Sequence, residues 1–187
     1  MEHGLDRVNG GVYTCLDRDG SLMDSTKSVW FQGRFGFIAA FAYNNVEKRQ
    51  EWLDASKSCI DFIEKYCIDT DGHMYFEVTA DGTPLRKRRY VFSEGFAAIA
   101  MAEYSIASGD KSYAEKAMKM LEHIIYMLDT PGFLSPKYLP SMEAQGHSIT
   151  MILINTASRV REALGYEPEM LRQRIDRSLD AIRRYFM

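Results

Sequence analysis

Two kinds of helical pattern alternate along the chain. Residues 30–43 and 92–104 are apolar on nearly every side and rich in glycine and alanine, which predicts helices buried on several faces. Residues 115–128 instead carry one apolar stripe opposite a charged face, as expected for a half-exposed helix. Helices of the first kind would form an inner layer and those of the second kind an outer layer, as in stacked arrays of helical hairpins.

The pattern predicts three pairs of helices, each with an inner helix followed by an outer one. Gly109-Asp110 and the segment from Gly165 to Pro168 separate consecutive helices, because glycine suits a left-handed cap and proline suits a first helical turn. The predicted pairs cover about 25–44 and 46–67, about 90–108 and 111–128, and about 147–165 and 168–186.

A repeat with a period of 62 residues relates the first two pairs. When the chain is shifted by that offset, similar residues coincide at turn, strand and helix positions. Examples are Gly10 with Gly72, Tyr13 with Tyr75, Gly20 with Gly82, Lys27 with Arg89, Trp30 with Phe92, and Gln32 with Glu94. The two copies are therefore expected to share one order of elements.

A short β-hairpin is predicted ahead of each of the first two pairs, at residues 12–23 and 74–83. Asp19-Gly20 and Asp81-Gly82 lie between β-prone runs, and the glycine supplies the positive φ that a tight turn needs. The third pair lacks an obvious hairpin and follows a loop at 129–145 that contains proline and glycine.

The expected fold class is all-α, an α/α toroid with short β-hairpins between helix pairs. Three pairs make an arc of about half a six-pair ring, so residues 1–187 are taken as a single partial barrel domain. The apolar inner faces of such an arc would stay uncovered unless a further segment or the second subunit of a homodimer packs on them.

The composition restricts the possible binding partners of the protein and its cellular compartment. The 187 residues are 46% apolar with a net charge of -3, which supports a real core and argues against a general nucleic-acid binder. Cys15, Cys59 and Cys67 form no C-x-x-C motif, so neither a disulfide framework nor a zinc site is predicted. Residues 1–7 lack a signal-peptide core and no apolar run could cross a bilayer, so a cytoplasmic protein without a membrane partner is expected.

Four segments resemble one known family. Residues 9–20, NGGVYTCLDRDG, are similar to the first hairpin of the N-acylglucosamine 2-epimerases, also called renin-binding proteins. Residues 27–34, KSVWFQGR, resemble the K-x-x-W-x-Q-G-R helix of that family, and residues 89–96, RYVFSEGF, resemble its second repeat. Residues 151–155, MILIN, match its third inner helix.

The resemblance implies an (α/α)6 barrel that interconverts N-acetylglucosamine and N-acetylmannosamine by removing and returning the C2 proton, or a relative acting on mannose, glucose or cellobiose. It implies no required cofactor, with ATP as an allosteric effector in some relatives. Residues 109–114 resemble the segment proposed for that effect, although a turn between helices is the preferred interpretation. Family members are about twice this length, and their second half supplies the acid and base histidines, so this chain alone is expected to be inactive or nearly so.

Arg34 is the first candidate for a functional residue. C2 epimerisation passes through an enediolate, which needs a nearby positive charge or hydrogen-bond donors. Arg34 is a permanent cation within an otherwise apolar inner helix, where a charge must face a polar pocket or a partner. The resemblance implies that it binds O1 of the sugar, and the alternative is a structural salt bridge to an acid such as Glu94.

The other candidates each have a structural alternative. Trp30, one turn before Arg34, stacks on the sugar or is a plain core aromatic. Lys27 and Arg89 start inner helices and line the mouth, although a solvated rim is favoured for both. Glu94 accepts a sugar hydroxyl or, as favoured, pairs with Arg34.

Only one histidine starts an inner helix. His147 would contact the sugar or, as favoured, serve as a cap or a core residue. His3 is terminal, His73 is placed in a hairpin strand, and His123 is expected to be structural in an outer helix. Because epimerisation moves protons on both faces of the sugar, one histidine is insufficient. No H-E-x-x-H motif or carboxylate cluster predicts a metal site.

Two functions of other classes stay open. A non-catalytic protein would use the half-barrel to bind a sugar or a protein, which the uncovered inner face motivates. Glycoside hydrolases also use helical toroids, but they need two suitably spaced carboxylates, and Glu94 has no evident second carboxylate.

Overall fold

The computed structural model of the chain describes residues 3–139, 141–142, 144 and 146–187, and six helices account for most of them. The helices are α1 (Val29–Asn45), α2 (Gln50–Tyr66), α3 (Phe92–Ser108), α4 (Ser112–Asp129), α5 (His147–Leu164) and α6 (Glu169–Phe186). The three predicted pairs are confirmed, with bounds that differ from the prediction by a few residues.

The helices form the two predicted layers. Helix α3 packs against α1 on one side and α5 on the other, so these three make the inner layer. Helices α2, α4 and α6 each pack on the inner helix that precedes them and make the outer layer. The arrangement is an arc of an α/α toroid, which confirms the all-α partial ring.

Glycine allows the inner helices to approach one another closely. A Cβ atom built at Gly33 of α1 would lie 2.6 Å from the backbone carbonyl carbon of Phe96 on α3. A Cβ atom at Gly95 of α3 would lie 3.2 Å from the side chain of Ile152 on α5. Gly33 and Gly95 are separated by the 62-residue offset, so the repeat places one kind of close contact at both inner-helix interfaces.

Both predicted hairpins are present, although their strands are short. Strand β1 (Cys15–Leu16) pairs antiparallel with β2 (Leu22–Asp24). Strand β4 (Tyr75–Val78) pairs antiparallel with β5 (Pro84–Lys87). Gly20 and Gly82 have φ values of 87° and 93°, which is the conformation that the turn prediction required.

A further strand pairing joins the two repeats. Strand β3 (Lys27–Ser28), immediately before α1, pairs antiparallel with β4, so that β3, β4 and β5 form one three-stranded sheet. The second hairpin is thereby fixed to the start of the first inner helix. Ahead of the third pair, the described part of residues 130–146 contains no strand.

The helix ends follow the predicted breaks. Gly109 and Gly165 end α3 and α5 in the left-handed conformation, with φ values of 77° and 76°. Pro168 immediately precedes the first residue of α6. Among the described helices, none is both long and apolar enough to cross a membrane.

Candidate functional site

Arg34 lies on an exposed stripe of α1 together with Phe31 and Ile38. Spacings of three and four residues place the three side chains on one face of the helix. The guanidinium carbon of Arg34 is 6.0 Å from the ring centre of Phe31 and 5.5 Å from that of Phe96 on α3. Among the described residues, no acidic side chain forms an ion pair with Arg34, so the alternative of a salt bridge to Glu94 is wrong.

Trp30 is half-buried in an aromatic cluster beside Arg34. Its ring centre is 5.2 Å from Phe76 of β4, 5.3 Å from Phe92 and 5.9 Å from Phe96 of α3. The contacts with Phe76 and Phe96 are edge-to-face, which is a favourable geometry for aromatic pairs. Trp30 therefore serves the packing between β4, α1 and α3, and its contact with a sugar stays a prediction.

Lys27 is fully buried, so the prediction that it lines the mouth or a solvated rim is wrong. Its Nζ atom lies 2.7 Å from Oδ2 of Asp6 and donates to the backbone carbonyls of Gly10 at 2.7 Å and Ala80 at 2.9 Å. The ammonium group also lies 4.2 Å from the ring centre of Phe62. The long side chain thus ties the segment ahead of the first hairpin to the turn of the second hairpin, and it has no free donor for a sugar.

Asp6, the partner of Lys27, was absent from the sequence predictions. Burial alone raises the pKa of Asp6, but hydrogen bonds from Lys27, Asn9 and Val8 outweigh burial and hold that pKa well below its usual range. The pair is a closed internal ion pair rather than a binding group. Its signal in the sequence is weak, because the two residues lie 21 positions apart in different elements.

Glu94 is buried and pairs with His73, so the favoured prediction of a pair with Arg34 is wrong. Oε1 of Glu94 lies 2.6 Å from Nδ1 of His73, and it also accepts the backbone N–H of Met74 at 2.6 Å. The carboxylate is directed at the second hairpin rather than at the exposed stripe of α1. The structure therefore gives no support for Glu94 as a sugar-contacting residue.

The repeat explains where Glu94 points. Gln32, its counterpart in the first copy, accepts the backbone N–H of Val12 at 2.8 Å and donates to the carbonyl of Val12 at 2.7 Å. Val12 and Met74 are themselves 62 residues apart. Each side chain thus holds the segment that leads into its own hairpin.

His73 lies two residues before β4 rather than within a strand, and it is buried. Its Nδ1 faces Glu94, and its Nε2 lies 2.6 Å from the backbone carbonyl oxygen of Arg88. Burial lowers the pKa of His73, but the hydrogen bond and charge of Glu94, helped by the Arg88 carbonyl, raise that pKa above its usual value. Both ring nitrogens are occupied, so His73 is not a free acid or base.

Arg89 is exposed, unlike its buried counterpart Lys27 in the first repeat. Its Nη1 donates to the backbone carbonyl of Pro136 at 2.9 Å. It borders a cavity of about 480 Å³ between the end of α4 and the start of α5, which Tyr90 and Ser148 also line. A contact between Arg89 and a sugar stays a prediction.

His147, the first residue of α5, is exposed and packs edge-on against Phe186 near the end of α6, with ring centres 4.8 Å apart. No described side chain caps the first turn of α5, and the His147 side chain is exposed, so the capping or core role favoured for His147 is wrong. Phe186 belongs to an outer helix, so the imidazole contacts the outer layer. A sugar contact of His147 stays a prediction.

Helix α5 adds polar groups that the sequence predictions did not single out. Asn155 and Arg159 line a cavity of about 530 Å³ on its surface. The guanidinium carbon of Arg159 is 5.8 Å from the ring centres of both Phe37 and Phe41 on α1, so it reaches from the third inner helix to the first. The available signal was the helical spacing of these residues, which places both on one side of α5.

The described residues contain no group of three or more histidine, cysteine or carboxylate side chains that could hold a metal ion. Glu94 does not lie beside a second carboxylate in any hydrogen bond or ion pair of the described residues. The chemistry available on this side of the arc is therefore that of guanidinium groups, aromatic rings and an exposed asparagine.

Comparison with known proteins decides the family. A sequence profile described as N-acylglucosamine 2-epimerase (GlcNAc 2-epimerase) matches residues 11–150, which is most of the chain. The chain belongs to this family. The family resemblance of the hairpin and inner-helix motifs is thereby confirmed.

Known members of the family are longer than this chain. The N-acylglucosamine 2-epimerase of Rattus norvegicus is 34% identical over 175 residues, which cover 90% of this chain and 41% of the rat protein. A cellobiose 2-epimerase of Ruminococcus albus is 31% identical over 121 residues, which cover 64% of this chain and 31% of that protein. The chain thus spans less than half the length of the relatives it matches.

A solved structure supports the half-ring description. The crystal structure of a sugar epimerase from a ruminal bacterium superposes on 96% of this chain and 49% of its own with a TM-score of 0.80, at 24% sequence identity. At this identity the likeness establishes the fold, and it places the three helix pairs within a larger α/α toroid.

Proposed function

We propose that the chain supplies the enediolate-stabilising side of a sugar 2-epimerase site, with Arg34 contacting O1 of the sugar. The observation that carries the proposal is the exposed guanidinium of Arg34, which lies among aromatic rings and has no acidic partner among the described residues. A cation that no internal carboxylate neutralises is available to an external oxyanion.

The chemistry of epimerisation matches this arrangement. Removal of the C2 proton from an open-chain sugar delocalises negative charge onto O1. A guanidinium presents several N–H donors in a fixed plane and binds such an oxyanion through charge-assisted hydrogen bonds. Phe96 lies beside Arg34 and packs against Trp30, and the two rings offer an apolar surface to the carbon skeleton of the sugar.

The acid and the base of the reaction are assigned to groups outside these 187 residues. Two proton-transfer groups must face opposite sides of C2. His73 is engaged at both ring nitrogens, His123 belongs to outer helix α4, and His147 packs on Phe186. None of the three is positioned beside Arg34 by the contacts described above.

The proposed substrate pair is N-acetylglucosamine and N-acetylmannosamine, in line with the identity to the rat enzyme. An aldose or cellobiose 2-epimerase is the alternative within the family, motivated by the Ruminococcus albus relative. The reaction consists of proton transfers and needs no cofactor. We assign it to the cytosol, because Cys15, Cys59 and Cys67 are free thiols in the described structure.

A non-catalytic half-barrel that binds a sugar or a protein is the second candidate. It is favoured by the exposure of Phe31 (49%), Ile38 (57%) and Met151 (52%) on the inner helices. Large apolar side chains exposed together on one layer are typical of interaction surfaces.

The proposal is tested by supplying the missing base as imidazole. N-acetylmannosamine is incubated in D2O with imidazole, with and without the chain, and deuterium at C2 is followed by proton NMR. The chain is expected to accelerate exchange above the rate with imidazole alone. Arg34→Ala should lower the protein-dependent rate about 100-fold, because an oxyanion donor is lost. Arg34→Lys, which keeps the charge, should lower it less.

Each outcome of the imidazole experiment has a defined meaning. Equal exchange rates with and without the chain would contradict enediolate stabilisation by Arg34 and favour the non-catalytic alternative. Exchange by the chain without imidazole would contradict the assignment of acid and base to groups outside these residues. Faster exchange with glucose or cellobiose than with N-acetylmannosamine would favour the alternative substrates.

A further inference from the structure

Arg88 lies over the aromatic cluster that contains Trp30. Its guanidinium carbon is 3.7 Å from the ring centre of Phe76 and 5.8 Å from that of Trp30. The short distance to Phe76 is that of a guanidinium held against the aromatic ring, and Arg88 is nonetheless exposed. A stacked guanidinium keeps its N–H donors at its edge, where they remain free to bind oxygen atoms.

Arg86 provides an internal comparison, because it lies over the same ring. Its guanidinium carbon is 4.8 Å from the centre of Phe76, and its Nη2 forms an ion pair with Glu77 at 3.1 Å. No described carboxylate pairs with Arg88 in this way. Two arginines therefore share one aromatic ring, but only the charge of Arg86 is balanced within the described part of the chain.

The backbone of Arg88 is held in place by a hydrogen bond to a buried histidine. Its carbonyl oxygen lies 2.6 Å from Nε2 of His73, whose Nδ1 lies 2.6 Å from Oε1 of Glu94. Glu94 is fully buried and His73 is 5% exposed, and Glu94 also accepts the N–H of Met74. A buried pair from α3 and the segment before β4 thus anchors the residue that follows β5, which restricts where the Arg88 side chain begins.

Arg34 and Arg88 each lie beside one ring of a neighbouring aromatic pair, Phe96 and Trp30 respectively. Arg34 is 5.5 Å from the centre of Phe96, Phe96 is 5.9 Å from Trp30, and Trp30 is 5.8 Å from the guanidinium carbon of Arg88. An unneutralised guanidinium therefore lies beside each ring of this aromatic pair. A sugar has hydroxyl or acyl oxygens along its whole length, so one ligand that packs on the Phe96–Trp30 pair can accept hydrogen bonds from both guanidinium groups.

We propose that Arg88 is a second sugar-contacting arginine, which donates to hydroxyl or acyl oxygens distant from the C1–C2 end held by Arg34. The inference rests on the proposed function, because it uses the same bound sugar. Arg88 contributes affinity and selectivity for the substituents of the sugar, and it takes no part in the proton transfers. His73 and Glu94 are its positioning residues and do not touch the ligand.

The test compares Arg88→Gln with the matched variant Arg86→Gln in the full chain. Affinity for N-acetylmannosamine is measured by saturation-transfer NMR titration, with Arg34→Ala alongside. Arg88→Gln should raise Kd about tenfold or more, as expected for loss of a hydrogen bond from a charged donor. Arg86→Gln should change Kd less than about twofold, because its charge is already balanced by Glu77. Arg88→Lys should give an intermediate Kd, because it keeps the charge without the planar edge of donors.

The outcomes separate this inference from the proposed function. If Arg34→Ala weakens binding while Arg88→Gln and Arg86→Gln behave alike, the role of Arg88 is overturned and the proposed function stands. If Arg88→Gln weakens binding and Arg34→Ala does not, the role of Arg88 stands and that of Arg34 fails. Absence of binding by the unaltered chain overturns both. Thermal unfolding of each variant identifies any loss of affinity that follows from loss of the fold.

Discussion

Lys27 and Arg89 occupy equivalent positions in the two repeats, yet their charges have opposite surroundings. Lys27 is buried against Asp6 and two backbone carbonyls, whereas Arg89 is exposed and donates to Pro136. The sequence shows that both positions carry a cation, but it does not show whether an acidic side chain lies beside either one. The buried pair makes Lys27 a link between the segment ahead of the first hairpin and the turn of the second.

Replacement of Lys27 by methionine is expected to destabilise the chain by about 3–5 kcal/mol at pH 7, because it leaves the carboxylate of Asp6 buried without its partner. The free energy of unfolding from urea titration measures the loss. The pKa of Asp6 is lowered in the folded chain, so the pair stabilises the fold above the unfolded pKa of about 3.9 and loses that effect as the pH falls further. The difference in the free energy of unfolding between the unaltered chain and Lys27→Met should therefore become smaller in acid.

The double variant Lys27→Met with Asp6→Asn is the matched control for this prediction. It removes the unpaired charge, while the amide of the new asparagine keeps an oxygen that can accept the N–H groups of Val8 and Asn9. It should be more stable at pH 7 than Lys27→Met alone. Equal stability of the single and double variants would show that the charge of Asp6 is not what the lysine compensates.

The 62-residue repeat extends to the contacts of Glu94, although the sequence alone does not show which groups its side chain meets. The 62-residue offset aligns Glu94 with Gln32, and it also aligns Met74 with Val12. The contact of Gln32 with Val12 is thus repeated as the contact of Glu94 with Met74. His73 as the second partner was not predictable, because its counterpart in the first repeat is a glycine, which has no side chain.

At the scale of elements, the inner helices are held together at equivalent glycines. Gly33 faces the backbone of Phe96, and Gly95 faces Ile152. Backbone atoms cannot move aside as the end of a flexible side chain can. The interface between α1 and α3 is therefore less tolerant of an added methyl group than the interface between α3 and α5.

Gly33→Ala is expected to destabilise the chain by about 1–3 kcal/mol, because the new Cβ would lie 2.6 Å from the Phe96 carbonyl carbon and force the helices apart. Gly95→Ala should have a smaller effect. Urea unfolding measures both, with Gly4→Ala as a control, since a Cβ at Gly4 would meet only a Leu16 side-chain atom at 4.0 Å. An unchanged stability of Gly33→Ala would contradict the packing described for α1 and α3.

Local sequence patterns predicted the helices and hairpins better than they predicted which strands pair with each other. The helices and both hairpins follow from apolar periodicity and from Asp-Gly turns, which act over a few residues. The pairing of β3 with β4 joins residues about 50 positions apart, as in Lys27 with Val78, and a two-residue strand carries no periodicity of its own. Long-range contacts of this kind also explain why the predicted position of Lys27 was wrong, because Asp6 and Ala80 are distant from it in the sequence.

At the scale of the whole molecule, the chain is an arc whose inner helices present polar and apolar groups without a covering layer among the described residues. It spans 49% of the sugar epimerase structure that it resembles and 41% of the rat enzyme. The half-ring was predictable from the number of helix pairs. Of the residues in the proposed site, the sequence pointed to Arg34 and Trp30 through a family motif, whereas Arg88 and Arg159 enter it only through contacts with aromatic residues of other elements.

The proposed function requires the sugar to bind at the face formed by α1 and α3 around Arg34. Titration of the ¹⁵N-labelled chain with N-acetylmannosamine, followed by backbone amide shifts, tests it most directly. Binding at this face should give saturable shifts between Phe31 and Ile38 of α1 and near Phe96 of α3, with outer helices α2 and α4 unaffected. Shifts confined to the outer helices or to the cavity beside Arg89, or no shift at any sugar concentration, would contradict it.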